Sequence, residues 1–106
     1  MEALRRELRY YETAEGKVPA RDWLDAREDS DEYGIIMVRL ERVMQGNFGD
    51  HSSVGTGVSE LKFRQGYRVY YGCSGQDLVI LLVVGTKDTQ REDIKTAKEY
   101  WKDFNA

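Results

Sequence analysis

The chain has 106 residues, 41% of them apolar, one proline and one cysteine, a composition that predicts one folded domain over 1–106 and excludes a disulfide framework. Net charge is −3, but residues 1–57 carry 8 Lys/Arg against 12 Asp/Glu, and residues 58–106 carry 8 against 7. A local field decides where an anion docks, so the acidic total does not exclude a basic site in the second half. Met1–Arg6 is charged without an apolar signal core, and no run reaches membrane-spanning length, so a cytoplasmic protein with no membrane partner is expected.

Residues 4–12 alternate Leu4, Leu8 and Tyr10 with Arg5, Glu7 and Arg9, which predicts a strand. Helix is the competing reading, because Leu, Glu and Arg are good helix formers. Pro19 suits a first helical turn, and a short helix from there carries Trp23 and Leu24 inward. After an acidic break at Glu28–Glu32, Tyr33, Ile36, Met37, Leu40, Val43 and Met44 fall at three- and four-residue spacings, a second helix that Gly46 stops. Asn47 to Gly57 reads as a loop.

Three strands follow. Residues 58–64 put Ser59, Leu61 and Phe63 on one face and Glu60, Lys62 and Arg64 on the other. Residues 67–72 form the second, with alternation turning Tyr67 and Tyr71 to the core and leaving Tyr70 exposed for base stacking. Residues 77–84, without a polar side chain from Leu78 to Val84, read as an interior strand covered on both faces. Thr89-Gln90-Arg91-Glu92 matches a capping box opening a helix with the stripe Ile94, Ala97, Trp101 and Phe104. The expected order is β-α-α-β-β-β-α, an α+β domain.

Lys62, Arg64, Arg68, Lys87 and Arg91 lie on or just beyond these strands, where a packed sheet has no use for them. They suit a surface that holds a phosphate backbone. The turn at Gln65-Gly66 leaves the geometry open. A two-residue turn pairs Arg64 with Tyr67 and sets Arg68 opposite Phe63. A three-residue loop pairs Arg64 with Arg68 and Lys62 with Tyr70, and this register, the favoured one, gathers Lys62, Arg64 and Arg68 on one surface. His51 sits in a Gly/Ser stretch without an obvious partner, and the scattered carboxylates make no metal site, so neither metal nor cofactor is expected. Cys73 at a hairpin end has no evident base.

Gly57-Val58-Ser59-Glu60-Leu61-Lys62, Gly66-Tyr67-Arg68-Val69-Tyr70-Tyr71, Gly85-Thr86-Lys87-Asp88-Thr89-Gln90 and the segment Asp93–Trp101 together resemble the RelE/ParE toxin superfamily, specifically its HigB-like addiction module killer protein branch. Arg21-Asp22-Trp23-Leu24 and Gln45-Gly46-Asn47-Phe48-Gly49-Asp50 extend the resemblance over nearly the whole chain. It implies a small toxin, neutralised by a cognate antitoxin, that cuts mRNA in the ribosomal A site without a metal. By position it makes Arg68 the residue that stabilises the scissile phosphate. Lys87 and Lys62 become further catalytic cations, with Arg64, Tyr70 and Arg91 in RNA binding. Two positions depart from the pattern: Arg91-Glu92-Asp93-Ile94 stands where such nucleases carry a tyrosine or histidine, and Ser52 stands near a common lysine. The departures keep two alternatives open, a ParE-like poison of DNA gyrase and a non-catalytic binding module.

Overall fold

The computed structural model describes residues 5–106. Chain order is β1 (Glu7–Tyr10), α1 (Pro19–Asp25), α2 (Asp31–Met44), β2 (His51–Gly55), β3 (Val58–Lys62), β4 (Tyr67–Ser74), β5 (Leu78–Thr86), a 3₁₀ turn (Lys87–Thr89) and α3 (Gln90–Phe104). The fold is α+β: one five-stranded, mostly antiparallel sheet, order β1-β5-β4-β3-β2, with three helices. β2 to β5 form an antiparallel meander, and β1 joins the β5 edge in parallel. No helix among the described residues is long and apolar enough to cross a membrane.

The strand expected over 4–12 forms at Glu7–Tyr10, because pairing with β5 turns Leu8 and Tyr10 onto the core; Leu4 lies outside the described residues. Asn47–Gly57 is not a loop throughout. His51–Gly55 is a strand that pairs antiparallel with β3 and closes through Gly55, Thr56 and Gly57, all at positive φ. Its His-Ser-Ser-Val-Gly sequence has a weak alternation, and the β3 edge supplies the hydrogen bonds that make it a strand.

α2 begins at Ser30, whose hydroxyl accepts from the Tyr33 amide, with Asp31 and Glu32 suited to the positive end of the helix. It ends in a Schellman motif: the amides of Gly46 and Asn47 donate to the carbonyls of Val43 and Arg42, with Gly46 at φ 91°. The capping box expected at Thr89 sits one turn earlier, between Thr86 and Thr89, and it caps the 3₁₀ turn instead.

Each sheet face buries its own cluster. α1 and α2 cover Leu61, Phe63, Val69, Tyr71, Val79 and Leu81 with Ala20, Leu24, Ile36, Leu40 and Val43. α3 covers Val58, Tyr70, Ile80, Leu82 and Val83 with Ala97, Ile94, Tyr100 and Trp101. A bulge between β4 and β5, where Tyr70 pairs with Val83 and Tyr71 with Leu81, turns the consecutive Leu82 and Val83 to the same face. β5 is therefore covered on both sides, as its unbroken apolar run predicts.

Candidate anion-binding site

The β3–β4 turn decides the site. Phe63 and Tyr67 close a three-residue loop, Arg64-Gln65-Gly66, with Gly66 at φ 99°. Lys62 therefore stands directly opposite Arg68, and Leu61 opposite Val69. This register is shifted by two residues from the expected one, which pairs Lys62 with Tyr70; the parity is unchanged, so Lys62 and Arg68 do share a face. Across the other edge of β4, Arg68 pairs with Gly85.

Lys87 follows the end of β5, and its amide donates to the Gly66 carbonyl at 2.8 Å. Its aliphatic stem lies over the turn: a Cβ on Gly66 would be 3.7 Å from Lys87 Cδ. Lys62, Arg68 and Lys87 thus meet at one end of the sheet, two of them on adjacent strands and the third folded onto the turn that joins those strands.

The Arg68 guanidinium is fixed by its own hairpin. Nη1 donates to the carbonyls of Tyr67 at 2.9 Å and Phe63 at 3.5 Å, and Nε stands 4.0 Å from Glu60 Oε2. Glu60 is 1% exposed and accepts from Gln90 Nε2 at 2.8 Å, which ties β3 to the first turn of α3. Arg68 Nε and the Tyr70 hydroxyl are buried here without a hydrogen bond. Burial raises the Tyr70 pKa, and the neighbouring Glu60 carboxylate raises it further. Glu60 compensates the desolvation of Arg68, and with Asp93 lying over Gly85 the cluster sets three cations against two carboxylates.

Arg39 on α2 holds the same region from the opposite face. Its guanidinium donates to the carbonyls of Phe48, Asp50 and Lys62, the last at 2.8 Å, and lies over the Phe63 ring. Burial lowers its pKa. Residues 48–50, the end of β3 and α2 are therefore clamped around the backbone that carries Lys62.

Three other expected site residues do not take up the expected positions: Tyr70 is buried beneath the cluster, and Arg64 and Arg91 lie away from it. Tyr70 is fully buried, so it has no face for a base. Tyr71 does face the α1–α2 core, as alternation predicts, but the opposite face, which carries Tyr70, is covered by α3. Arg64 leaves the ladder and lines a groove of about 790 Å³ with Ile35, Val38 and Arg39 of α2. Arg91 lines a shallow surface on α3 with Ile94, Lys95 and Lys98. His51 is also remote, its ring against Phe48 at 5.6 Å on the α1–α2 side. Cys73 is exposed at the end of β4.

Glu60, Gln90 and Arg39 are the residues that sequence reasoning did not single out. Glu60 had a signal, as a carboxylate sharing the Lys62 face of an otherwise apolar strand. Gln90 had none, because its partner is 30 residues away.

A preorganised guanidinium flanked by two lysines makes this end of the sheet a candidate surface for an anion. No protein-family model matches the chain. A Haemophilus influenzae protein described as uncharacterized is 45% identical over 78 residues, which span 72% of this chain and 79% of that protein. The chain belongs to the family of that Haemophilus protein.

Proposed function

We propose that this protein is the toxin of a type II toxin–antitoxin module, a RelE/ParE-like, HigB-like endoribonuclease that cuts mRNA on the ribosome in the cytoplasm. The observation that carries the reading is the Lys62–Arg68 pair across β3 and β4, with Lys87 laid over the adjoining turn. The sequence resemblance names the same three residues.

RNA brings its own nucleophile. The 2′-oxygen attacks phosphorus, the bond to the 5′-oxygen breaks, and a 2′,3′-cyclic phosphate and a 5′-hydroxyl result. The protein's part is orientation and charge stabilisation, with one proton taken from the 2′-hydroxyl and one given to the 5′-oxygen. Arg68 holds the developing phosphorane charge through a planar donor set. Lys62 and Lys87 are the candidates for proton transfer. The partner is an antitoxin whose bound segment covers this end of the sheet.

Purified protein added to a translating extract should give codon-phased cuts in mRNA, and the Lys62→Gln/Lys87→Gln variant should lose them. Intact message with the wild-type protein rules the reading out.

One observation favours the gyrase-poison alternative. Among the described residues, no imidazole faces the cluster, and the phenol nearest to it, Tyr70, is buried. Accumulation of double-strand breaks in a gyrase supercoiling assay, without mRNA cleavage, would establish that reading. Unimpaired bacterial growth on expression without antitoxin would leave the non-catalytic binding module.

A further inference from the structure

The outward face of α2 departs from the polar stripe that a solvent-facing helix normally carries. Asp31, Gly34, Ile35, Val38 and Arg42 fall within about 100° of one another around the helix, over roughly 16 Å of its length. Gly34 and Val38 are neighbours in the middle of that stripe, both exposed, Val38 to 56%. Glycine costs a helix interior more than any residue but proline, and β-branched valine is a poor choice for an exposed helical position. Nothing inside the chain demands either residue: a Cβ on Gly34 would have no neighbouring atom within 4 Å. Local preference is given up at two adjoining surface positions with no gain in this chain's own packing.

The stripe forms one wall of the groove of about 790 Å³ whose other wall is Phe63, Arg64 and Gln65. Its two ends carry opposite charge. Asp31 opens α2, Arg42 lies in the last turn, and neither takes part in an ion pair among the described residues. Their charged neighbours are already engaged. Glu32 pairs with Arg27, Glu41 pairs with Arg5, and Arg39 donates to three backbone carbonyls. An antiparallel copy of α2, centred midway along the stripe, sets Asp31 against the partner's Arg42 and Arg42 against the partner's Asp31. Between these ends the Gly34, Ile35 and Val38 surfaces of the two copies meet. The stripe is therefore self-complementary, as an interface about a two-fold axis requires.

We infer that this face of α2 is a homodimer interface, in which two copies pack their α2 helices antiparallel about a two-fold axis. Gly34 lets the partner's backbone approach closely, and Ile35 and Val38 remove apolar surface from water. Asp31 and Arg42 fix the direction, because a parallel arrangement sets like charges together. The inference is independent of the nuclease reading, since no residue of the stripe belongs to the Lys62, Arg68 and Lys87 cluster.

The test is sedimentation velocity of the full chain between about 5 and 500 μM, a range that covers weak association. The average mass should rise with concentration from the monomer's value toward twice that value. Val38→Lys should weaken association roughly tenfold or more. Gly34→Glu should do the same while keeping or raising the thermal midpoint in dilute solution, because its Cβ meets open space and a glycine leaves the helix. Asp31→Arg and Arg42→Asp should each weaken the dimer, and Asp31→Arg/Arg42→Asp together should recover it. Thermal unfolding checks that each variant is folded, since both exchanges oppose the helix dipole. A wild type that stays monomeric throughout the range overturns the inference, and so does a dimer that Val38→Lys and Gly34→Glu leave intact. Weakening by both single exchanges, without recovery in the folded double variant, overturns the antiparallel pairing.

Discussion

Gly72 of β4 and Trp101 of α3 are fitted to one another: a Cβ on Gly72 would lie 2.5 Å from Trp101 Cε3. Gly57 meets the other side of the indole, with its would-be Cβ 2.6 Å from Nε1. A glycine of β4 and a glycine of the β2–β3 turn thus leave the recess in which α3 seats its largest side chain.

The first prediction follows from that fit. Gly72→Ala should destabilise the fold by about 1–3 kcal/mol, the usual cost of overpacking, because the added methyl meets a ring that cannot retreat. Urea unfolding checks it. An unchanged midpoint would mean that Trp101 does not occupy the recess in solution.

Arg68 and Glu60 are predicted to be coupled in stability but not in function. Arg68→Met leaves the buried Glu60 carboxylate without its cation, which should cost about 3–5 kcal/mol. Adding Glu60→Gln should recover a large part of that loss without restoring mRNA cleavage. A double-mutant cycle on unfolding free energy and cleavage rate separates the two roles. Full cleavage by the double variant would remove Arg68 from the chemistry.

Gly85 is required by what lies above it. A Cβ there would be 2.9 Å from Thr89 Oγ1 and would press on the Asp93 carboxylate. Gly85→Ala should therefore shift the first turn of α3 and loosen the Gln90–Glu60 hydrogen bond, lowering the thermal midpoint by several degrees. Amide hydrogen exchange over residues 86–93 should accelerate. Exchange at the wild-type rate would contradict the packing.

Alkaline conditions should unfold the protein through its tyrosines. The Tyr11 pKa is pushed up from 10.0 to about 12, by burial first and then by the hydrogen bond to Asp103. Burial likewise raises Tyr71 to about 12. A raised folded-state pKa means that the folded chain favours the neutral phenol. The associated stability is complete below pH 10 and is lost as pH rises from there through about 12. The urea midpoint should fall over that window, and Tyr11→Phe should make the fall shallower. An identical slope in that variant would show that Tyr11 titrates normally.

Much of the architecture is readable along the chain. Tyr33 to Met44 carries a helical period and Gly46 ends it; Leu78 to Val84 has no polar side chain and needs cover on both faces. These are local properties, set by side-chain chemistry and backbone freedom within a few residues. β2 escapes that reading because a strand of histidine, serines and glycine has little preference of its own and takes its form from the β3 edge.

The site was half legible. The residue types and the alternation within each strand are legible, but whether Lys62 and Arg68 share a face depends on the parity of the β3–β4 register. Their direct pairing depends on the length of a single turn. The separation of Arg64 and Arg91 from them depends on where α2 and α3 pack. Tyr70 shows the limit most plainly: alternation assigns its face, but exposure is a property of what covers that face, and α3 comes from 20 residues further on. Sequence alone determined the elements other than β2, the charge inventory and the side on which each strand residue lies, because those follow from short-range periodicity. Tertiary structure alone decided that Glu60 is buried against Arg68 and that α2 and the β3–β4 loop flank a groove, because both arise from contacts between segments distant in the chain.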